Sequence, residues 1–207
     1  AKGYELPGAK VSYKPAQDGK SLRLTIDENI QLYIEEAMKT SYEKYRPASM
    51  SAIAVDPNTM EILGMANLPN YNPNVYWDFE SFQDFNNVGI IQAFEPGSTF
   101  KVFTLAAAVE EGMFDPDELF ESGGISVPGG QVRDHNWSGW GEITFLEGLK
   151  RSSNVAFVEL GYNKLGRDKL THYFQQFGFG APRGVDLPNE AKGRIGFRYP
   201  LEVANAT

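Results

Sequence analysis

The 207-residue sequence predicts an α+β fold, an antiparallel sheet flanked by helices with a mainly helical part after it. Three observations predict it. Apolar residues recur at helical spacing just after residue 27. Two runs rich in β-branched and small residues flank the turn sequence DPNT. From residue 98 onward the periodic segments are nearly all helical. Hydrophobic residues make up 42% of the chain and charged ones 22%, enough for a buried core. No internal repeat or low-complexity segment interrupts it.

Residues 1–20 carry scattered Gly, Pro and Lys and predict irregular structure. SLRLTID alternates Leu22, Leu24 and Ile26, the signature of a short strand. Thr25 with Glu28 forms a capping-box pattern and Asp27 competes as N-cap. The helix that follows should bury Ile30, Tyr33, Ile34, Ala37 and Met38 and end at Pro47. SMSAIAV and EILGMA around Asp56-Pro57-Asn58 predict a hairpin of strands at about 49–55 and 61–66. Two strands are too few for a stable sheet, so further strands are needed to complete it. NLPNYNPNVYWDFESFQDFNN lacks a period and should be a loop with short helical pieces.

A helix apolar on nearly all sides, hence buried, is expected from Ser98 to about Glu111, with Gly112 as its stop. ESGGISVPGGQVRDHNWSGWG predicts irregular structure. Thr144 with Glu147 is a second capping box and opens a short helix ending near Lys150. Helices from Asn154 to Leu165 and from about Asp168 to Phe177 follow, the last with Leu170, Tyr173, Phe174 and Phe177 inward; the tail is loop-like. This divides one domain, 1–207, into a helix-plus-hairpin part at about 20–68 and a helical part at about 69–200.

A formal net charge of -8 disfavours nucleic acid as a partner, since both are negative. The absence of cysteine excludes disulfides, thiolate catalysis and zinc–cysteine sites. No apolar run approaches the roughly 20 residues that span a bilayer. AKGYELPGAK has no signal-peptide apolar region and reads as an entry point into a longer chain.

The chemistry-bearing candidates are few. In EPGSTFK, Ser98 and Lys101 lie three apart, on one side of a helical turn. A lysine amine can take a hydroxyl proton only when neutral, which requires burial or a second cation nearby. The apolar run behind Lys101 favours burial, and a helix N-terminus favours developing negative charge on Ser98. The bare pattern is weak: SYEK, Ser41 to Lys44, matches it too and reads as a solvated helix end. Ser152 and Asn154 of SSN are ordinary helix-start residues by themselves; beside Ser98 and Lys101 they offer a hydroxyl relay and an amide. A Ser-His-Asp system would have to use His135 or His172, read as a loop histidine and a solvated one. Two isolated histidines give no metal-ligand spacing. Trp137 and Trp140 are candidates for a groove wall. Glu35-Glu36 and Glu110-Glu111 read as solvated faces.

With these motifs located, the chain resembles the transpeptidase domain of a class B, monofunctional, penicillin-binding protein over nearly its whole length. LTIDENIQLYIEEAM, AIAVDPNTMEILGMANLPNYNPN, FEPGSTFKVFTLAAAVEEG, RSSNVAFVELGYNKLG and GVDLPNEAKG follow that family's order. The resemblance implies the penicillin-recognising serine transpeptidase fold. It implies that Ser98 attacks the carbonyl of a D-Ala-D-Ala stem peptide, that Lys101 takes its proton, that Ser152 passes the proton toward the leaving amine, and that Asn154 holds the substrate amide. A second stem peptide then resolves the acyl-enzyme, and β-lactams acylate the same serine. No cofactor or metal is implied. Division or elongation proteins are implied as partners. The implied place is the extracytoplasmic face of the cell membrane, anchored by an N-terminal helix outside these residues. A β-lactamase, a β-lactam sensor and a non-catalytic scaffold are the competing readings.

One departure is plain. The family's third motif, Lys-Thr/Ser-Gly on a later strand, is absent; Lys39-Thr40-Ser41 lies before Ser98 and lacks the glycine. The expectation is an incomplete sheet and weak or no activity for the chain alone, unless a second chain supplies the missing strands.

Overall fold

The computed structural model describes residues 15–79 and 81–207. The irregular structure expected before residue 15 lies outside the described residues. Two compact units divide between Pro69 and Asn70. The fold is α+β, with three two-stranded antiparallel sheets among the described residues.

The first unit holds helix α1 (Glu28–Tyr45) and strands β1 (Met50–Val55) and β2 (Ile62–Leu68). Asp27, not Thr25, is the N-cap: its carboxylate accepts from the amides of Asn29 and Ile30. The Thr25 hydroxyl instead donates to the carbonyl of Ile62 at 2.6 Å. No strand forms at SLRLTID. The segment meets β2 through that bond and through the Asp27 amide on the Leu63 carbonyl. Leu22 and Leu24 are 83% and 64% exposed, so among the described residues the predicted apolar stripe is left largely uncovered.

α1 rests on the small-residue face of the hairpin, where Ala54 pairs with Gly64 and Ala52 with Ala66. A Cβ at position 64 would lie 2.7 Å from Ile34 Cδ1, so the glycine sets how close the helix comes. Met38 is buried there, whereas Tyr33 and Ala37, expected inward, are exposed. Ile53 and Val55 are each 44% exposed. The hairpin is thus a two-stranded sheet with unburied apolar side chains, as the shortage of strands in the sequence implied.

The second unit begins with single 3₁₀ turns and the short helix α2 (Val88–Ile91). Helix α3 (Lys101–Glu110) follows a 3₁₀ turn over Gly97–Phe100, and Gly112 closes it with a φ of 65°. It is not apolar-buried on all sides: Lys101, Thr104, Ala107 and Ala108 form the buried stripe, while Val102 and Val109 are more than half exposed. Glu111, expected to be solvated, bonds Lys169 and accepts from the Tyr173 hydroxyl at 2.8 Å.

The segment expected to be irregular forms two ribbons. Strand β3 (Leu119–Glu121) pairs with β6 (Glu142–Thr144), and β4 (Gly124–Val127) with β5 (Gly130–Arg133). Pro128-Gly129 closes the second ribbon as a two-residue turn between Val127 and Gly130, with Gly129 at a φ of 99° that its lack of a Cβ allows.

Helix α4 (Phe145–Lys150) is capped by Thr144, whose hydroxyl accepts from the Glu147 amide. α5 (Asn154–Val158) continues as a π-helical stretch through Leu165, not as one α-helix. Gly161 within it lets the chain pass close to its neighbours, since a Cβ there would sit 2.2 Å from Thr207 Cγ2. α6 (Gly166–Gln176) buries Leu170 and Phe174 but leaves Phe177 46% exposed. The tail holds a further helix, α7 (Pro200–Asn205), with Pro at its first position and Glu202 accepting from the Tyr199 amide.

Val155, Phe157, Leu160, Leu170 and Phe174 form the centre of this unit's core, with α3 packed against it through Ala107 and Ala108. The Thr104 hydroxyl, on the same stripe, is buried and has no hydrogen-bond partner among the described residues. An unmet hydroxyl of this kind costs about 1–3 kcal/mol. Thr104→Val is therefore expected to raise stability by about 1 kcal/mol, seen as a higher urea midpoint at unchanged slope; a lower midpoint would count against an unmet hydroxyl.

Candidate active site

Ser98 lies in the 3₁₀ turn that leads into α3, entered through Gly97 at a φ of 61°. Phe100 anchors this turn, its ring 4.5 Å from that of Phe174 and 4.7 Å from that of Phe179. Ser98 itself is exposed, so its hydroxyl is open to a substrate. Three residues on, Lys101 is only 6% exposed. Its position at the head of the buried stripe turns its side chain toward α5 rather than toward water.

Three oxygens meet the Lys101 amine. Nζ lies 2.7 Å from the Ser152 carbonyl, 2.7 Å from Asn154 Oδ1 and 3.2 Å from Ser152 Oγ. The Phe157 ring lies 5.2 Å away on another side. A neutral amine has two N–H groups, which the two closer carbonyl-type oxygens take up. The Ser152 hydroxyl can then donate to the lone pair, or accept when the amine is charged. Burial pushes the Lys101 pKa down from 10.5 to about 8, while the negative charge of Asp134 pulls it upward.

The Ser152 geometry follows from the end of α4. The Ser152 amide bonds the Leu149 carbonyl at 3.0 Å and the Ser153 amide bonds the Gly148 carbonyl at 2.8 Å. This is the paired bonding of a Schellman stop, whose turning residue has positive φ and is usually glycine. Here that residue is Ser152, with a φ of 53°. The next residue, Ser153, caps α5 by accepting from the Ala156 amide. Asn154, first in α5, donates from Nδ2 to the Arg133 carbonyl at 2.7 Å, which orients its Oδ1 toward Lys101.

The structure therefore brings Lys101, Ser152 and Asn154 into contact and sets Ser98 three residues before Lys101, in the 3₁₀ turn that leads into α3. It builds no histidine system: His135 packs beside Trp140, and His172 beside Tyr173. Trp140 also carries the Arg151 guanidinium 5.2 Å from its ring. Lys44 of the second Ser-x-x-Lys match is exposed over the Tyr45 ring. Among the described residues no group of three or more acidic or histidine side chains could hold a metal.

Two residues of the site escaped sequence reasoning. Asp134 is 1% exposed and accepts from the Ser153 hydroxyl, the Val155 amide and the Gly123 amide. Ser153 is wholly buried beside it. Asp134 lies in a segment that reads as irregular and is made largely of turn formers, so no local pattern in the sequence marks it.

The family described as the penicillin binding protein transpeptidase domain matches residues 50–206. Stage V sporulation protein D of Bacillus subtilis is 38% identical over 204 residues, 98% of this chain and 31% of that protein. Penicillin-binding protein PbpB of Mycolicibacterium smegmatis is 31% identical over 194 residues, 93% of this chain and 30% of that protein. The peptidoglycan D,D-transpeptidase MrdA of Escherichia coli is 27% identical over 195 residues, 87% of this chain and 30% of that protein. A crystal structure of a peptidoglycan glycosyltransferase from Burkholderia ambifaria matches with a TM-score of 0.74 at 25% identity, over 88% of this chain and 54% of that one. The chain thus spans about a third of the length of these curated relatives.

Proposed function

The chain belongs to the penicillin-binding protein transpeptidase family, and from that premise we propose that it carries the acylating half of a peptidoglycan D,D-transpeptidase site. The observation that supports this best is the buried Lys101 amine, held by Ser152 and Asn154 one turn from an exposed serine.

Ser98 Oγ attacks the carbonyl carbon of the penultimate D-alanine of a stem peptide, and its proton passes to neutral Lys101. The tetrahedral intermediate collapses and the C–N bond to the terminal D-alanine breaks. That leaving amine takes a proton from Lys101 by way of the Ser152 hydroxyl. The amine of a second stem peptide attacks the ester and gives up a proton along the same route to Lys101, which returns it to Ser98 Oγ as the ester C–O bond breaks and the new peptide bond forms. A β-lactam carbonyl enters the first step and leaves Ser98 acylated. Asn154 holds the amine through Oδ1, and beyond the N–H given to the Arg133 carbonyl its Nδ2 keeps a second one for the substrate amide. A stem-peptide substrate places this chemistry on the extracytoplasmic side of the membrane. Among the described residues no helix is long and apolar enough to cross one.

Incubation with a β-lactam followed by mass spectrometry is expected to place one adduct on the peptide containing Ser98, and none in Ser98→Ala. An adduct on another residue would overturn the reading, and rapid hydrolysis of the adduct would favour a β-lactamase. The 207-residue chain by itself is expected to acylate at least about 10²-fold more slowly than a full-length relative, because in the family the strand bearing the Lys-Thr/Ser-Gly motif also supplies one of the two oxyanion amides, and losing one such donor typically costs that much. The two-stranded hairpin and the absent Lys-Thr/Ser-Gly motif motivate that figure. Equal rates would sink it.

A further inference from the structure

Asp134 follows the last residue of β5 and is almost wholly enclosed. All its side-chain partners are neutral donors: the Ser153 hydroxyl at 2.8 Å and the Val155 amide at 3.1 Å on Oδ1, and the Gly123 amide at 2.8 Å on Oδ2. Its own amide bonds the Gly123 carbonyl, closing a reciprocal pair with the start of β4. Ser153, which it grips, lies between the two residues that meet the Lys101 amine. The carbonyl just before it, Arg133, orients Asn154. A buried charge with no cation against it is expensive, and an amide or hydroxyl can cap a helix as well. The carboxylate is therefore more than the cap alone requires.

We propose that Asp134 is a positioning residue for acylation. It fixes Ser153, and through it the turned Ser152 and the oriented Asn154, while its negative charge steadies the Lys101 ammonium between proton transfers. This rests on the reading of Lys101 as the base. Among the described residues, Asp134 is the charged group that acts on Lys101. Residues 154–158 of α5 carry no charge. Lys164 of the π-helical stretch pairs with Glu118. On α6, Lys169 and His172 act on Glu111, at the far end of α3. Arg151, beside Ser152, is held by Glu147 and Trp140.

The test follows the Lys101 side chain by NMR in the 207-residue chain labelled with ¹³C-lysine, its signal assigned by its loss in Lys101→Met. The rate of Ser98 acylation by a β-lactam is measured against pH in the full-length protein. Wild type should titrate near 8. In Asp134→Asn the charge that favours the ammonium is gone, so the midpoint should fall, and the rising limb of the acylation profile should move to lower pH with it. Its plateau should drop by up to about 10²-fold, as a misplaced catalytic group does. Ser153→Ala keeps the charge and cuts the grip, so its midpoint should stay while its plateau drops. It also carries the test if Asp134→Asn does not fold. An Asp134→Asn profile lowered uniformly with an unmoved midpoint would reduce Asp134 to a structural cap, and a wild-type plateau in Ser153→Ala would overturn the grip. Absence of a Ser98 adduct in the wild-type full-length protein would instead refute the reading on which the proposal rests.

Discussion

Lys101→Met is expected to slow acylation of Ser98 by about 10³-fold, within the 10²–10⁴ that a positioned base contributes. With its pKa near 8, about a tenth of Lys101 is neutral at pH 7, against roughly 0.03% for an unperturbed lysine. The wild-type rate should therefore rise with pH up to about 8 and then level, and the methionine variant should show no such rise. Lys101→Arg keeps a cation that stays charged, and should be as slow as methionine if the amine acts by accepting a proton. An arginine variant near the wild-type rate would mean that charge alone is needed.

The same shift predicts a stability signature. The folded-state pKa lies below the unfolded value of 10.5, so between pH 8 and 10.5 the unfolded chain binds more protons and stability rises with pH. Below pH 8 the fold bears the whole cost of a buried ammonium, on the order of 3 kcal/mol for a shift of this size. Denaturant midpoints should climb across that window in the wild type, and this climb should vanish in Lys101→Met. A wild-type stability that falls between pH 8 and 10.5 would contradict the burial argument.

What the sequence made legible depended on how local each signal was. Ser98 and Lys101 share one turn, so their spacing and the apolar run behind them marked them as candidates, and the resemblance over the rest of the chain set them above the match at Ser41 and Lys44. Ser152 and Asn154 were found by a three-letter motif, but not the reason for its geometry, which lies in the carbonyls of Gly148 and Leu149. Asp134 was missed because its partners are Gly123, eleven residues before it, and Ser153 and Val155, nineteen and twenty-one after it. No periodicity records such a convergence. The ribbon at SVPGGQVR had its turn residues in plain view, but four-residue strands alternate too briefly to stand out. α7 is likewise six residues long, although Pro200 and Glu202 mark its start. The error at Leu22 and Leu24 is of another kind. The alternation is real, but a strand needs a surface to pack on, and here both side chains stay exposed.

Replacing Ser152 with glycine is expected to stabilise the fold while disabling it. A non-glycine residue in the left-handed region costs on the order of 1 kcal/mol or more, and Ser152 sits there, at the position of a Schellman stop where glycine is most at home. Its carbonyl must point at Lys101, and the turned backbone is what aims it. A glycine keeps that carbonyl and relieves the strain, so unfolding free energy should rise by about 1 kcal/mol. It also deletes the hydroxyl 3.2 Å from Nζ, so acylation should fall by about 10²-fold or more. Ser152→Ala separates the two effects: it loses the hydroxyl but keeps the strained backbone, so its rate should match that of the glycine variant and its stability that of the wild type. Equal stabilities for the two variants would remove the strain argument, and a glycine variant that acylates normally would remove the hydroxyl from the proton path. If both hold, the serine persists at a glycine position because proton transfer needs its hydroxyl, and the fold gives up about a kilocalorie per mole to keep it there.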